Sequence, residues 1–187
     1  AASTHPGEDE PVLAAHQQVL GSHPDTLLVL VPRHPERFND VAAQIRGKGL
    51  SLARRSADES PAEVQVYLAD TMGELLMLFG TADVAFVGGS LVPVGGHNLL
   101  EPAAWERPVL TGPHLHNFTA ISQLLDDAGG LSVVNNEREL ATTLLALFDD
   151  AERCRRQGQA AAAAVEANRG ALEKGLGLIS EQLTVNS

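Results

Sequence analysis

The stretch that most constrains the fold is 83–102, DVAFVGGSLVPVGGHNLLEP. It opens on a short apolar run, Val84 to Val87, the length of a strand buried on both faces, as strands of parallel sheets are. Gly88, Gly89, Gly95 and Gly96 follow, and then Leu99, Leu100, Ala103 and Ala104 recur at helical spacing. The order is strand, glycine loop, helix. A helix start leaves backbone N–H groups unpaired and carries a partial positive charge, and glycine lets the backbone approach a ligand with no Cβ in the way. The stretch reads as a tight turn or as an anion site, with phosphate the expected occupant. Ser90, His97, Asn98 and Glu101 supply more hydrogen-bonding groups than a bare turn requires. The helix start has two readings. Asn98 with Glu101 three residues on has the form of a capping box, whereas Pro102 fits the first helical position with Glu101 as cap.

The rest of the chain alternates in the same way. Apolar runs at 26–31, 50–54, 64–68, 108–111 and 131–134 predict strands, and 8–20, 36–48, 75–79 and 118–128 predict helices. Two or three helices fill the remainder, with Gly170 as a break. The first residues, Ala1 to Gly7, read as the end of a strand and its loop, so the chain is expected to begin within a fold. Alternating strands and helices imply a doubly wound α/β domain built on a parallel sheet. In such sheets ligands bind beyond the carboxyl ends of the strands. The polar clusters fall there: after Val31, Leu68, Val87 and Thr111, and at the chain start.

Charge and composition exclude several classes. With a net charge of −11 and a pI of about 4.9, the surface does not attract nucleic acid, and any anion must be held by a local site. One cysteine, Cys154, allows no internal disulfide, and among Arg153, Arg155 and Arg156 it reads as incidental. No apolar run approaches the length of a membrane span. His114 and His116 lie two apart and His97 precedes them, but no Cys partner or HExxH spacing supports zinc, so no metal is expected. A P-loop lysine, a GxGxxG fingerprint and a GxSxG elbow are absent.

Among the candidate site residues, Arg33 at a strand end offers a planar fork for phosphate or carboxylate, or else pairs with Glu36 on the surface. His34 and Pro35 shape the same loop. Asp70, Thr71 and Glu74 read as caps of a helix starting near Met72, and the backbone of Met72 and Gly73 offers an alternative role, reading a base edge.

Six segments now form a pattern: 2–8, ASTHPGE; 32–38, PRHPERF; 70–75, DTMGEL; 88–91, GGSL; 95–103, GGHNLLEPA; and 112–118, GPHLHNF. Together and in this order they resemble the C-terminal half of 3-deoxy-D-manno-octulosonic acid (Kdo) transferases, which act in bacterial lipopolysaccharide core assembly. The resemblance is specific up to about Ala128 and less distinctive beyond it. It implies a GT-B glycosyltransferase, with 1–187 as a single Rossmann-like donor-binding domain for CMP-Kdo. An N-terminal half, outside this chain, would bind the lipid A precursor and carry the membrane anchor and the general base, so no catalytic residue is assigned here and the isolated chain is expected inactive. Transfer would invert the anomeric centre without metal or cofactor, at the cytoplasmic face of the inner membrane, with the membrane met only through the other half and this chain itself soluble.

In that frame His34 belongs to the same donor-binding loop as Arg33, and Arg33 neutralises the leaving phosphate. Ser90 and the N–H groups near Gly89, Gly96, His97 and Asn98 hydrogen-bond it, Glu101 accepts from the ribose hydroxyls, and Met72 and Gly73 meet the base. Other GT-B glycosyltransferases, nucleotide-sugar epimerases and non-catalytic nucleotide-binding modules share the architecture and remain alternatives at this stage.

Overall fold

The computed structural model describes the backbone of residues 1–185 and the side chains of residues 1–169. The strands are β1 (Ala2–Thr4), β2 (Leu28–Pro32), β3 (Leu52–Arg54), β4 (Val66–Leu68), β5 (Ala85–Val87), β6 (Val109–Thr111) and β7 (Leu131–Val133). They form one sheet in the order β3-β4-β2-β1-β5-β6-β7, and every pairing is parallel. The helices are α1 (Asp9–Leu20), α2 (Phe38–Gly47), α3 (Leu75–Thr81), α4 (Leu100–Ala104), α5 (Thr119–Asp127), α6 (Glu137–Phe148) and α7 (Ala151–Val185). Most elements are a residue or two shorter than the apolar runs suggested, because the outermost residues leave the hydrogen-bonded ladder.

Successive strand residues face opposite sides of the sheet, and the core divides accordingly. Phe86 and Leu110 join Leu13 of α1, Ile45 of α2 and Leu147 of α6, whereas their neighbours Val87 and Val109 join Leu99, Leu125 of α5 and Ala161 of α7. Ala2 and Ala85 bury Phe79 of α3. Helices on both faces make the doubly wound arrangement. β1 is its centre: β2 lies on one side and β5 on the other, so the chain order reverses between β1 and β5. A crevice opens beyond the carboxyl ends of strands at such a switch point. β1 is itself bent there. Ala2 pairs with Val31 and Thr4 with the adjoining Pro32, while Ser3 between them takes φ 56°. The extra residue is a bulge, which re-aims the loop that follows.

Gly170 does not break the chain into separate helices; α7 runs through it from Ala151 to Val185. A glycine inside a helix costs only about 1 kcal/mol, less than the neighbouring helical segments recover. Small residues in α7 instead permit close approach. A Cβ on Gly158 would lie 2.0 Å from the Glu106 carbonyl oxygen, and one on Gly130 would lie 2.5 Å from the Ala161 Cα.

Gly158→Ala should lower the melting temperature, although glycine to alanine in a helix ordinarily stabilises by about 1 kcal/mol. Overpacking against a backbone costs roughly 1–3 kcal/mol. Gly47→Ala, at the end of α2 where a Cβ meets nothing within 4 Å, should be neutral or stabilising. Thermal melts of the two variants check this, and equal shifts would contradict the packing described for α7.

Candidate functional site

The loops after β1 and β5 meet through one carboxylate. Glu8, fully buried, accepts at Oε2 from the N–H groups of His5 (2.9 Å) and Gly89 (2.6 Å), and at Oε1 from those of Ser90 (2.9 Å) and Leu91 (2.8 Å). The glycine loop is thus an anion-holding nest, and the anion it holds is the chain's own. Gly88 and Gly89 are required for this. A Cβ on Gly88 would sit 2.8 Å from the Ser3 carbonyl oxygen and 2.9 Å from Glu8 Oε2, and Gly89 takes φ +68°. Ser90 is turned inward as well: its hydroxyl donates to the Val87 carbonyl (2.7 Å) and accepts from Gly112 N–H (2.8 Å). The Gly96 N–H donates to the Gly89 carbonyl (2.7 Å). Gly89, Ser90 and Gly96 therefore shape the crevice while their N–H groups and the Ser90 hydroxyl bond inside the protein.

Above this loop three imidazoles converge. His5 Nε2 lies 2.8 Å from His97 Nε2, the rings end to end with planes 15° apart and centroids 5.1 Å apart. His34 meets the His5 ring edge-on at a centroid distance of 5.1 Å. Two imidazole nitrogens at hydrogen-bond distance require one donor and one acceptor. Burial pushes the pKa of both His5 and His97 below the usual histidine value; the neighbouring His34, Arg33 and, for His5, Arg37 push the same way, against an upward pull from Glu8. Both rings are thus held neutral by their surroundings.

The arginines of the neighbouring loop differ sharply. Arg37 is anchored, pairing with the buried Asp9 and donating to the Thr4 carbonyl (2.7 Å), while the Thr4 hydroxyl donates to Asp9 (2.7 Å). Arg33 is exposed. Its backbone N–H donates to the Thr4 carbonyl (3.0 Å), which fixes where the residue leaves the sheet. Among the described residues its guanidinium has no hydrogen bond or ion pair, so the alternative pairing with Glu36 is not formed.

The loop after β4 departs from expectation in a different way. Asp70, Thr71 and Glu74 do not cap α3. Asp70 accepts from Arg54 (2.7 Å), the Ser56 N–H (2.8 Å) and the Ser56 hydroxyl (2.6 Å). Burial raises its pKa, but these hydrogen bonds outweigh burial and hold the carboxyl below the usual range. Glu74 accepts from Thr71 and from both Nε and Nη2 of Arg55, and those bonds lower its pKa. Two acidic residues are thus consumed by Arg54 and Arg55, which leaves Met72 and Gly73 as an exposed tip between them.

At the other edge, α4 begins at Leu100, so neither reading of its start holds as stated. Asn98 Oδ1 accepts from the Leu100 N–H (3.0 Å), and its Nδ2 donates to Glu101 Oε1 (3.0 Å). Pro102 falls at the third helical position, where its missing N–H is still harmless. Asn117 ties the loop after β6 to the glycines, its N–H donating to the Gly95 carbonyl (3.1 Å) and its Nδ2 to that of Val94 (3.2 Å). Among the described residues no group of three or more His, Cys, Asp or Glu is arranged to hold a metal ion, and no helix is long and apolar enough to cross a membrane.

The structure therefore gathers Arg33, His34, His97, Asn98 and Glu101 around one switch point, with Met72 and Gly73 on the loop after β4. A groove of about 1360 Å³ opens at the opposite end of the strands beside Ala1, Leu28, Val84 and Pro108, away from these residues. Sequence reasoning missed Glu8, read only as a helix start, and His5. The signal was an acidic residue directly after His5-Pro6-Gly7 in a loop at the site edge.

No protein-family model matches the chain. It is 46% identical over 188 residues to the 3-deoxy-D-manno-octulosonic acid transferase of Haemophilus influenzae, a match that covers all of this chain and 44% of that protein. The Bordetella pertussis enzyme of the same name is 37% identical over 187 residues, covering 97% of this chain and 44% of its own length. The chain thus spans less than half the length of these relatives. Among solved structures, the C-terminal CMP-Kdo binding domain of WaaA from Acinetobacter baumannii superposes with a TM-score of 0.84 at 36% identity, over 88% of this chain and 86% of that one.

Glu8→Gln should destabilise the protein strongly. The amide keeps the shape but replaces one of two oxygens, each of which accepts two N–H groups, by a donor. Two buried donors then lose their acceptor, at about 1–3 kcal/mol each. The expected drop in melting temperature is roughly 5–15 °C, and a shift of a degree or less would show that the nest does not depend on this carboxylate.

Proposed function

The chain belongs to the 3-deoxy-D-manno-octulosonic acid (Kdo) transferase family, and we propose that it is the half of such a glycosyltransferase that binds the donor, CMP-Kdo. The observation that carries this reading is Arg33. An exposed guanidinium without a partner stands at the topological switch point, beside three imidazoles, in a protein of net charge −11. Such a site concentrates positive potential where the remaining surface repels anions.

In this reading the phosphate of the nucleotide lies against Arg33. Transfer breaks the bond between the anomeric carbon of Kdo and a phosphate oxygen, while a hydroxyl of the lipid A precursor attacks that carbon and gives up its proton to a base outside this chain. The electron pair of the broken bond stays on the phosphate, so negative charge grows there as the bond opens. Fixed donors aimed at that charge lower the barrier electrostatically, and transfer proceeds with inversion and without metal. Asn98 orients Glu101, whose second carboxylate oxygen accepts from the ribose hydroxyls, and the backbone of Met72 and Gly73 reads the cytosine edge. The acceptor and the cytoplasmic face of the inner membrane are met through the other half of the full-length enzyme.

Arg33→Ala should weaken CMP binding ten- to a hundredfold, as loss of a charge-assisted hydrogen bond of roughly 1.5–3 kcal/mol requires. Cytidine, which lacks the phosphate, should bind the variant as it binds the wild type. Calorimetric titration of both ligands checks this. Equal losses would remove Arg33 from the phosphate, and wild-type protein that binds UMP or AMP as well as CMP would overturn the donor assignment.

A further inference from the structure

We propose that His5 and His97 act as one proton-sharing unit that takes up a proton when the donor's phosphate binds beside Arg33, so that the leaving phosphate is met by an imidazolium as well as a guanidinium. The inference rests on the donor reading above and deepens it. It assigns the chemistry to a residue pair in which His5 comes from the loop after β1 and His97 from the glycine loop, 92 positions apart.

The geometry carries the argument. An Nε2–Nε2 distance of 2.8 Å leaves space for one proton between the rings. In the neutral pair one imidazole donates to the other, and each ring keeps its second nitrogen, Nδ1, for other partners. Adding one proton gives a cationic pair that retains the same internal hydrogen bond. The charge can therefore be accepted without rearranging the loops. His34 lies edge-on to His5 and offers no competing nitrogen-to-nitrogen contact.

The charged groups facing the pair explain why it is neutral until a ligand arrives. Arg33, Arg37 and His34 from the loop after β2 all disfavour a further positive charge, and Glu8 from the end of the β1 loop favours one. Burial adds to the disfavour. Arg37 already pairs with Asp9, so Arg33 is the cation of this loop that a ligand can still neutralise. The singly charged phosphodiester of the donor offsets that repulsion when it lies beside Arg33. The second charge that develops as the bond breaks, present in full on CMP, adds an attraction of its own, and both changes favour the cationic pair. During transfer the growing charge on the phosphate strengthens the same interaction, which is the condition for a group to speed the chemical step rather than only to bind.

Linkage makes this measurable. The slope of log affinity against pH equals the number of protons taken up, so uptake of half a proton gives about a threefold loss of CMP affinity per pH unit. Titrations of the 187-residue chain with CMP and with cytidine, at pH 7.5 in buffers of different ionisation heat, should show net proton uptake for CMP and none for cytidine. At that pH the CMP phosphate, with a second pKa near 6, is already almost wholly ionised and contributes little. His97→Gln and His5→Gln should each abolish the uptake, and the double variant should lose no more than either alone. If one variant fails to fold, the other carries the same comparison. CMP binding without proton uptake, or uptake that persists in either variant, overturns this inference alone. Absence of CMP binding by the wild type overturns the donor reading and this inference with it.

Discussion

The site depends on a carboxylate that no solvent reaches. Glu8 gathers four backbone N–H groups from two loops that are more than 80 residues apart in sequence. Without it the turn at Gly88–Leu91 would bury unpaired donors, at a cost comparable to the whole net stability of a small domain. With it, β1 and β5 are joined beyond their carboxyl ends, and the His5 and His97 rings that ride on those loops are held at hydrogen-bond distance.

This arrangement settles which groups remain for a ligand. Loops rich in glycine at the end of a strand commonly cradle phosphate with backbone N–H groups. Here that capacity is filled internally at Gly89 and Ser90, and Arg37, Arg54 and Arg55 are each committed to an acidic partner. Arg33 is left over. The anchored arginines hold the loops in place, and Arg33 stands unpaired beside the crevice. The neutral imidazoles beside it add hydrogen-bonding groups without adding a second permanent cation to repel Arg33.

The sheet was legible in the sequence because each buried parallel strand is a continuous apolar run, and Val84 to Val87 or Leu28 to Val31 can scarcely be read otherwise. The placement of Arg33, His34 and His97 beyond the carboxyl ends of the strands was legible as well, since each follows such a run. What was hidden depends on long-range pairing. Nothing local distinguishes Glu8, whose partners lie at Gly89 to Leu91, from an acidic residue in the first turn of a helix. Asp70 and Glu74 carry the pattern of helix caps, and only the placement of β3 beside β4 brings Arg54 and Arg55 within reach to claim them. Gly170 misled for the opposite reason: a single glycine costs a helix only about 1 kcal/mol and is a weak breaker.

The central claim is that the phosphate is received by Arg33 and the paired imidazoles, outside a glycine loop already filled by Glu8. A crystal structure of the chain with CMP tests it most directly. The account predicts the phosphate within hydrogen-bond distance of the Arg33 guanidinium and of His5 or His97, with Glu8 still accepting from His5, Gly89, Ser90 and Leu91. A phosphate seated on the N–H groups of Gly89 to Leu91, with the Glu8 carboxylate displaced, would contradict it.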